Sequence, residues 1–103
     1  MRRKAALYAW VAESDSSSDQ QLAKLRSFAH ARQWEVTEFV DEHVAVDGVQ
    51  KPALDALLLA VRNGKIDVVV CTALDRLVAT PQALMVLMQE LATHEVDLEV
   101  IEP

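Results

Sequence analysis

The run Ile66-Asp67-Val68-Val69-Val70-Cys71 is almost entirely apolar and β-branched. A strand of that composition has no polar face to give to water, so it predicts a central strand covered on both sides. The chain must then supply helices for two faces of one sheet. Ala5 to Ala12 is a second apolar stretch with polar bounds and reads as another buried strand. Leu22, Leu25, Phe28 and Ala29 recur at helical spacing, predicting an amphipathic helix over about 19–33 with Ser18 or Asp19 as its cap. Trp34 to Asp41 alternates apolar and polar residues, as a strand with one buried face does. Pro52 opens a second helix whose stripe is Leu54, Leu57, Leu58 and Val61, closed by Asn63-Gly64. Thr80-Pro81 starts a third, with Leu84, Leu87, Met88 and Leu91 on one face, and Val96 to Ile101 is a last short strand.

The order β-α-β-α-β-α-β predicts an α/β fold: an open, mostly parallel sheet with helices on both faces. In such sheets the functional crevice lies beyond the carboxyl ends of the strands. Here those ends lead into residues 12–19, 42–50 and 72–80. The 103 residues fit one domain, with no repeat, linker or low-complexity tract. A net charge of −6 argues against a domain that grips duplex DNA on its own, since phosphate neutralisation supplies most of that affinity. The single cysteine, Cys71, excludes an internal disulfide and suits a reducing cytoplasm. No apolar run approaches the ~20 residues of a membrane span, and no signal peptide is expected. His30, His43 and His94 show no metal-ligand spacing. No Gly-x-Gly-x-x-Gly or Gly-Lys-Ser/Thr loop is present, so no nucleotide cofactor is expected.

Tyr8-Ala9-Trp10-Val11-Ala12 closes the first strand, and Leu74-Asp75-Arg76-Leu77 follows the central one. Between them stand Gln21-Leu22-x-x-Leu25, Phe39-Val40-Asp41, Lys51-Pro52-Ala53-Leu54 and Asp67-Val68-Val69-Val70. In this order and spacing, from Ala5 to Glu102, the chain resembles the catalytic domain of the serine recombinases, the resolvase/invertase family. Each segment alone is weak; their succession is specific. The resemblance implies enzymes of mobile elements that cut DNA with a serine hydroxyl, which becomes joined to a 5′ phosphate while arginines neutralise the phosphoryl charge. It also implies DNA and a second recombinase subunit as partners.

Carried over residue by residue, the family's serine is Ala12 and its arginine neighbour is Trp10. The arginine before the second helix is Lys51, which keeps charge but loses the bidentate fork. The last arginine of the Asp-Arg-Leu-x-Arg motif is Ala79, and the loop glutamine falls on Ser16. Tyr8, Asp75 and Arg76 are retained. Alanine has no hydroxyl and cannot attack a phosphodiester, so the resemblance implies a domain that has lost cleavage, with protein contact or regulation of recombination as its remaining role. The rival is an active recombinase with a shifted nucleophile among Ser14, Ser16, Ser17 and Ser18, which otherwise read as turn and cap residues. A structural remnant without function is a third reading. Asp75-Arg76 reads either as a relic phosphate site or as an ion pair closing its loop. Trp10 reads as a space-filling aromatic or as a base-stacking platform, and Tyr8 as a strand residue with its hydroxyl at the crevice edge. In the family a long dimer helix and a helix-turn-helix segment follow this domain, and the chain ends at Pro103, before both.

Overall fold

The computed structural model describes residues 2–11, 19–42, 52–74, 78 and 80–102. The elements are β1 (Lys4–Val11), α1 (Asp19–Ala31), β2 (Glu35–Glu42), α2 (Pro52–Arg62), β3 (Val68–Cys71), α3 (Pro81–Thr93) and β4 (Asp97–Val100). They form one sheet of order β2-β1-β3-β4 with every pairing parallel. The expected alternation and parallel sheet are both present, and the observed bounds differ from the expected ones by one to three residues.

Side-chain alternation divides β1 between two cores. Ala5, Leu7 and Ala9 pack with Val68 and Val70 under Leu22, Leu25 and Ala29 of α1. Ala6, Tyr8 and Trp10 pack with Val69 and Cys71 under α2 and α3. One strand therefore serves both faces, which is why β1 and β3 are apolar throughout.

The helix faces follow the sequence pattern with two differences. In α3, Leu87 and Leu91 are buried and Leu84 is half-buried, but Met88 is 45% exposed. The i, i+3, i+7 line of residues 84, 87 and 91 points at the sheet, and Met88 stands beside it rather than on it. In α2, Leu54, Leu57 and Val61 carry the burial while Leu58 is half-buried. Thr80 caps α3 as expected, its hydroxyl accepting the Ala83 N–H at 3.1 Å. Asp19 is the first residue of α1, and Ser18 lies outside the described residues.

All three helices end in the same paired closure, with 6→1 and 5→2 backbone bonds. In α1 these run from Trp34 to Ala29 and from Gln33 to His30. In α2 they run from Lys65 to Ala60 and from Gly64 to Val61, and in α3 from Val96 to Leu91 and from Glu95 to Ala92. The left-handed residue of each closure is Gln33, Gly64 and Glu95. At the same end of the sheet, the Lys4 N–H donates to Asp67 Oδ2 and Arg3 pairs with Asp97 at 2.6 Å.

Candidate functional site

The chain runs from β1 through α1 to β2 on one side, and β3 then lies on the other side of β1. That reversal makes the carboxyl ends of β1 and β3 the topological switch point, where ligands bind in open α/β sheets. Two polar clamps hold the backbone at this end.

The first clamp is Gln21 in α1. Its Nε2 donates to the Trp10 carbonyl at 2.9 Å, and its Oε1 accepts the Trp10 N–H at 3.3 Å. The reason is the brevity of β3. β1 pairs with β2 over its whole length, but with β3 only from Ala5 to Leu7. Beyond that point the main chain of Trp10 has no strand beside it, and the Gln21 amide takes the place of one. Removing it leaves a donor and an acceptor without protein partners at the strand end. Gln21→Leu is expected to cost about 1–2 kcal/mol in urea unfolding; Gln21→Glu, which accepts but cannot donate, should recover only part of that. A loss below a few tenths for the leucine variant would show that the clamp contributes nothing.

The second clamp centres on Asp41, near the end of β2 and only 3% exposed. Its Oδ1 accepts the Ala53 N–H at 2.8 Å and its Oδ2 accepts the Leu54 N–H at 3.1 Å. The Tyr8 hydroxyl donates to the same Oδ2 at 2.7 Å. The carboxylate thus caps the first turn of α2, where free N–H groups and the positive end of the helix dipole favour an anion. Tyr8 is fully buried, which corrects the expectation of a hydroxyl at the crevice edge. Its ring belongs to the α2/α3 core, and the Asp41 carboxylate draws its hydroxyl inward. Burial, reinforced by the bond to Asp41, pushes the phenol well above its ordinary range, so it stays a protonated donor.

Trp10 is 6% exposed and packs among the α2 and α3 side chains. It fills space in the core, and no base-stacking face is presented. Ala12 follows directly on Val11, and Lys51 directly precedes Pro52, the first residue of α2. Ala12, Ser14, Ser16, Lys51, Asp75, Arg76 and Ala79 all lie outside the described residues. Of the residues singled out in the sequence, the structure therefore brings Tyr8 and Trp10 to one face of β1. It adds Gln21 and Asp41, which sequence reasoning had read only as parts of longer segments. Gln21 carried a signal: a polar residue on the stripe that continues through Leu25 and Phe28. Asp41 carried none, because its partners lie eleven or more residues away across a loop.

A four-strand parallel sheet with one helix on one face, two on the other and a switch point between its first and third strands is the architecture of serine recombinase catalytic domains. Residues 5–103 match the family model described as Resolvase, N terminal domain, and the chain belongs to that family. Its structure is similar to the C-terminal catalytic domain of ISC1926 TnpA, an IS607-like serine recombinase. That match has a TM-score of 0.85 and 27% identity, over 96% of this chain and 70% of that one. The N-terminal catalytic domain of TP901-1 integrase matches at a TM-score of 0.83 and 25% identity, over 96% of this chain and 77% of that one. A resolvase family site-specific recombinase from Streptococcus pneumoniae shares the fold, with a TM-score of 0.81, 19% identity, and coverage of 97% of this chain and 72% of that one. No curated protein matches the sequence.

Proposed function

We propose that this serine-recombinase catalytic domain no longer cleaves DNA and acts through contact with other proteins, as a regulator or silent partner in recombination. The observation that carries the reading is Ala12, the residue that follows β1 where the family resemblance puts the nucleophilic serine. The burial of Trp10 supports it. The side chain at the position of the family's arginine is turned into the α2/α3 core, away from any phosphate. Losing one donor that stabilises a developing oxyanion costs on the order of 10²–10³ in rate, and here a nucleophile and two arginine positions are changed together. The backbone of the crevice is nevertheless kept in place by Gln21 and Asp41, so what is lost is chemistry and not architecture.

DNA remains the partner of the lineage, yet with a net charge of −6 the domain by itself is expected to bind duplex DNA only in the non-specific range, roughly 10⁻⁴–10⁻⁶ M. We place it in the cytoplasm, where its single cysteine stays reduced. The test is incubation with supercoiled plasmid carrying candidate crossover sites, followed by denaturing gels for a covalent protein–DNA adduct, with a gel-shift titration alongside. No nicking, no adduct and weak unselective binding are expected. An adduct that vanishes in Ser14→Ala or Ser16→Ala would overturn the proposal in favour of a shifted nucleophile.

A further inference from the structure

We infer that the outer edge of β2, together with the cleft between β2 and α1, is a docking site for an extended apolar and basic peptide segment of another protein. The inference deepens the protein-contact part of the function proposed above. β2 is an edge strand, and among the described residues no element lies outside it. The Glu35 N–H donates to the Arg3 carbonyl at 2.8 Å, which fixes the phase of the β1–β2 ladder. Residues 35, 37, 39 and 41 turn their main-chain groups toward β1, so Val36, Glu38 and Val40 turn theirs outward.

The side chains follow a matching rule. Val36 stands beside Ala5 and Glu38 beside Leu7, and both of those face α1. The rungs that are open for pairing are therefore the ones whose side chains reach the α1 side. There they meet an open cleft of about 490 Å³ lined by Arg26, Ser27, His30, Trp34, Val36 and Glu38. Val36 is apolar yet 38% exposed on its floor. Any strand added to β2 would place its residues opposite Val36 and Glu38 with their side chains in this cleft. Main-chain bonds then give affinity and the cleft gives selectivity.

Charge selects the occupant. β2 carries Glu35, Glu38, Asp41 and Glu42 and no basic residue. A second copy paired edge to edge would set acid near acid, between two chains of net charge −6 each. A segment carrying lysine or arginine on either side of an apolar anchor meets the opposite sign. Arg26 bonds Glu38 with both guanidinium arms, one of them at 2.8 Å, and holds that carboxyl below the usual range. This leaves Trp34 and Val36 as the apolar part of the cleft.

The test titrates the isotopically labelled full chain with the blocked peptide Lys-Val-Trp-Val-Lys, and with Glu-Val-Trp-Val-Glu as its reversed-charge control. Saturable amide shifts at Val36, Glu38 and Val40 are expected, with the lysine peptide binding about tenfold tighter. Glu38→Pro removes an outward N–H without touching the ladder to β1, as edge prolines do, and should abolish binding, whereas Glu38→Gln should keep it. Val36→Lys keeps the donors but charges the floor, and is the second loss-of-binding variant if the proline variant does not fold. No saturable shift on β2, equal binding by both peptides, or shifts confined to α3 would overturn the inference. So would β2 shifts that grow with protein concentration in the absence of peptide, which would mark self-association. A covalent DNA adduct in the plasmid assay would sink the proposed inactivity and leave the docking result standing.

Discussion

Replacing Asp41 with alanine is expected to destabilise the domain by about 3–5 kcal/mol, a large share of what a domain of this size has. The substitution strips the acceptor from three donors at once: the Tyr8 hydroxyl and the Ala53 and Leu54 amides. A buried donor left without a partner costs about 1–3 kcal/mol, and the site is too well covered for water to substitute freely, since Asp41 and Tyr8 are both buried. Tyr8→Phe removes one donor and should cost only about 1 kcal/mol. Asp41→Asn keeps one oxygen but turns an amide toward an N–H, and should fall between the two. Urea unfolding of the three variants and of the double variant tests this. The double variant should lose less than the sum of the singles, because Tyr8 and Asp41 share a bond. An alanine variant within 1 kcal/mol of the parent would mean that α2 does not depend on Asp41 for its start.

The second large effect concerns catalysis. Ala12→Ser alone is expected to leave cleavage at least on the order of 10⁴-fold below a working relative, because groups that act as a unit are strongly non-additive. The comparison is with the combined Trp10→Arg, Ala12→Ser, Lys51→Arg and Ala79→Arg variant. Both would be fused to a dimer helix and DNA-binding segment of family type and assayed on a crossover site. Trp10 adds a cost beyond chemistry. Its indole packs against the α2/α3 core, so an arginine there either buries a guanidinium or leaves a void. Trp10→Arg is therefore expected to lose roughly 2–4 kcal/mol of stability, and the combined variant should be tested for folding before activity. Substantial cleavage by the single serine variant would show that the arginine positions matter far less than argued.

The fold was legible because two periods were clean. The β-branched run ending at Cys71 identified a doubly covered strand, and the leucine spacing of residues 54, 57 and 61 identified a helix face. Met88 was misplaced because a helix stripe read from sequence is wider than the line of contact with the sheet. The site was legible only as a set of positions. Ala12 and Trp10 could be named from their order in the chain, but that Trp10 is a core residue follows from the tertiary packing of α2 and α3. Tyr8 and Asp41 needed the register of β1 against β2 and the start of α2, which no local spacing encodes.

Helices α1 and α3 leave their last turns through Gln33, at φ 59°, and Glu95, at φ 57°, where α2 uses Gly64 at φ 71°. A left-handed residue that carries a Cβ is strained by about 1 kcal/mol. Both strained corners sit at the amino ends of the strands, opposite the crevice. The fold therefore keeps some mechanical slack at one pole that can be taken up without disturbing the other. Costly changes at the crevice, an arginine at position 10 among them, become more tolerable in a chain whose far corners have first been relaxed to glycine.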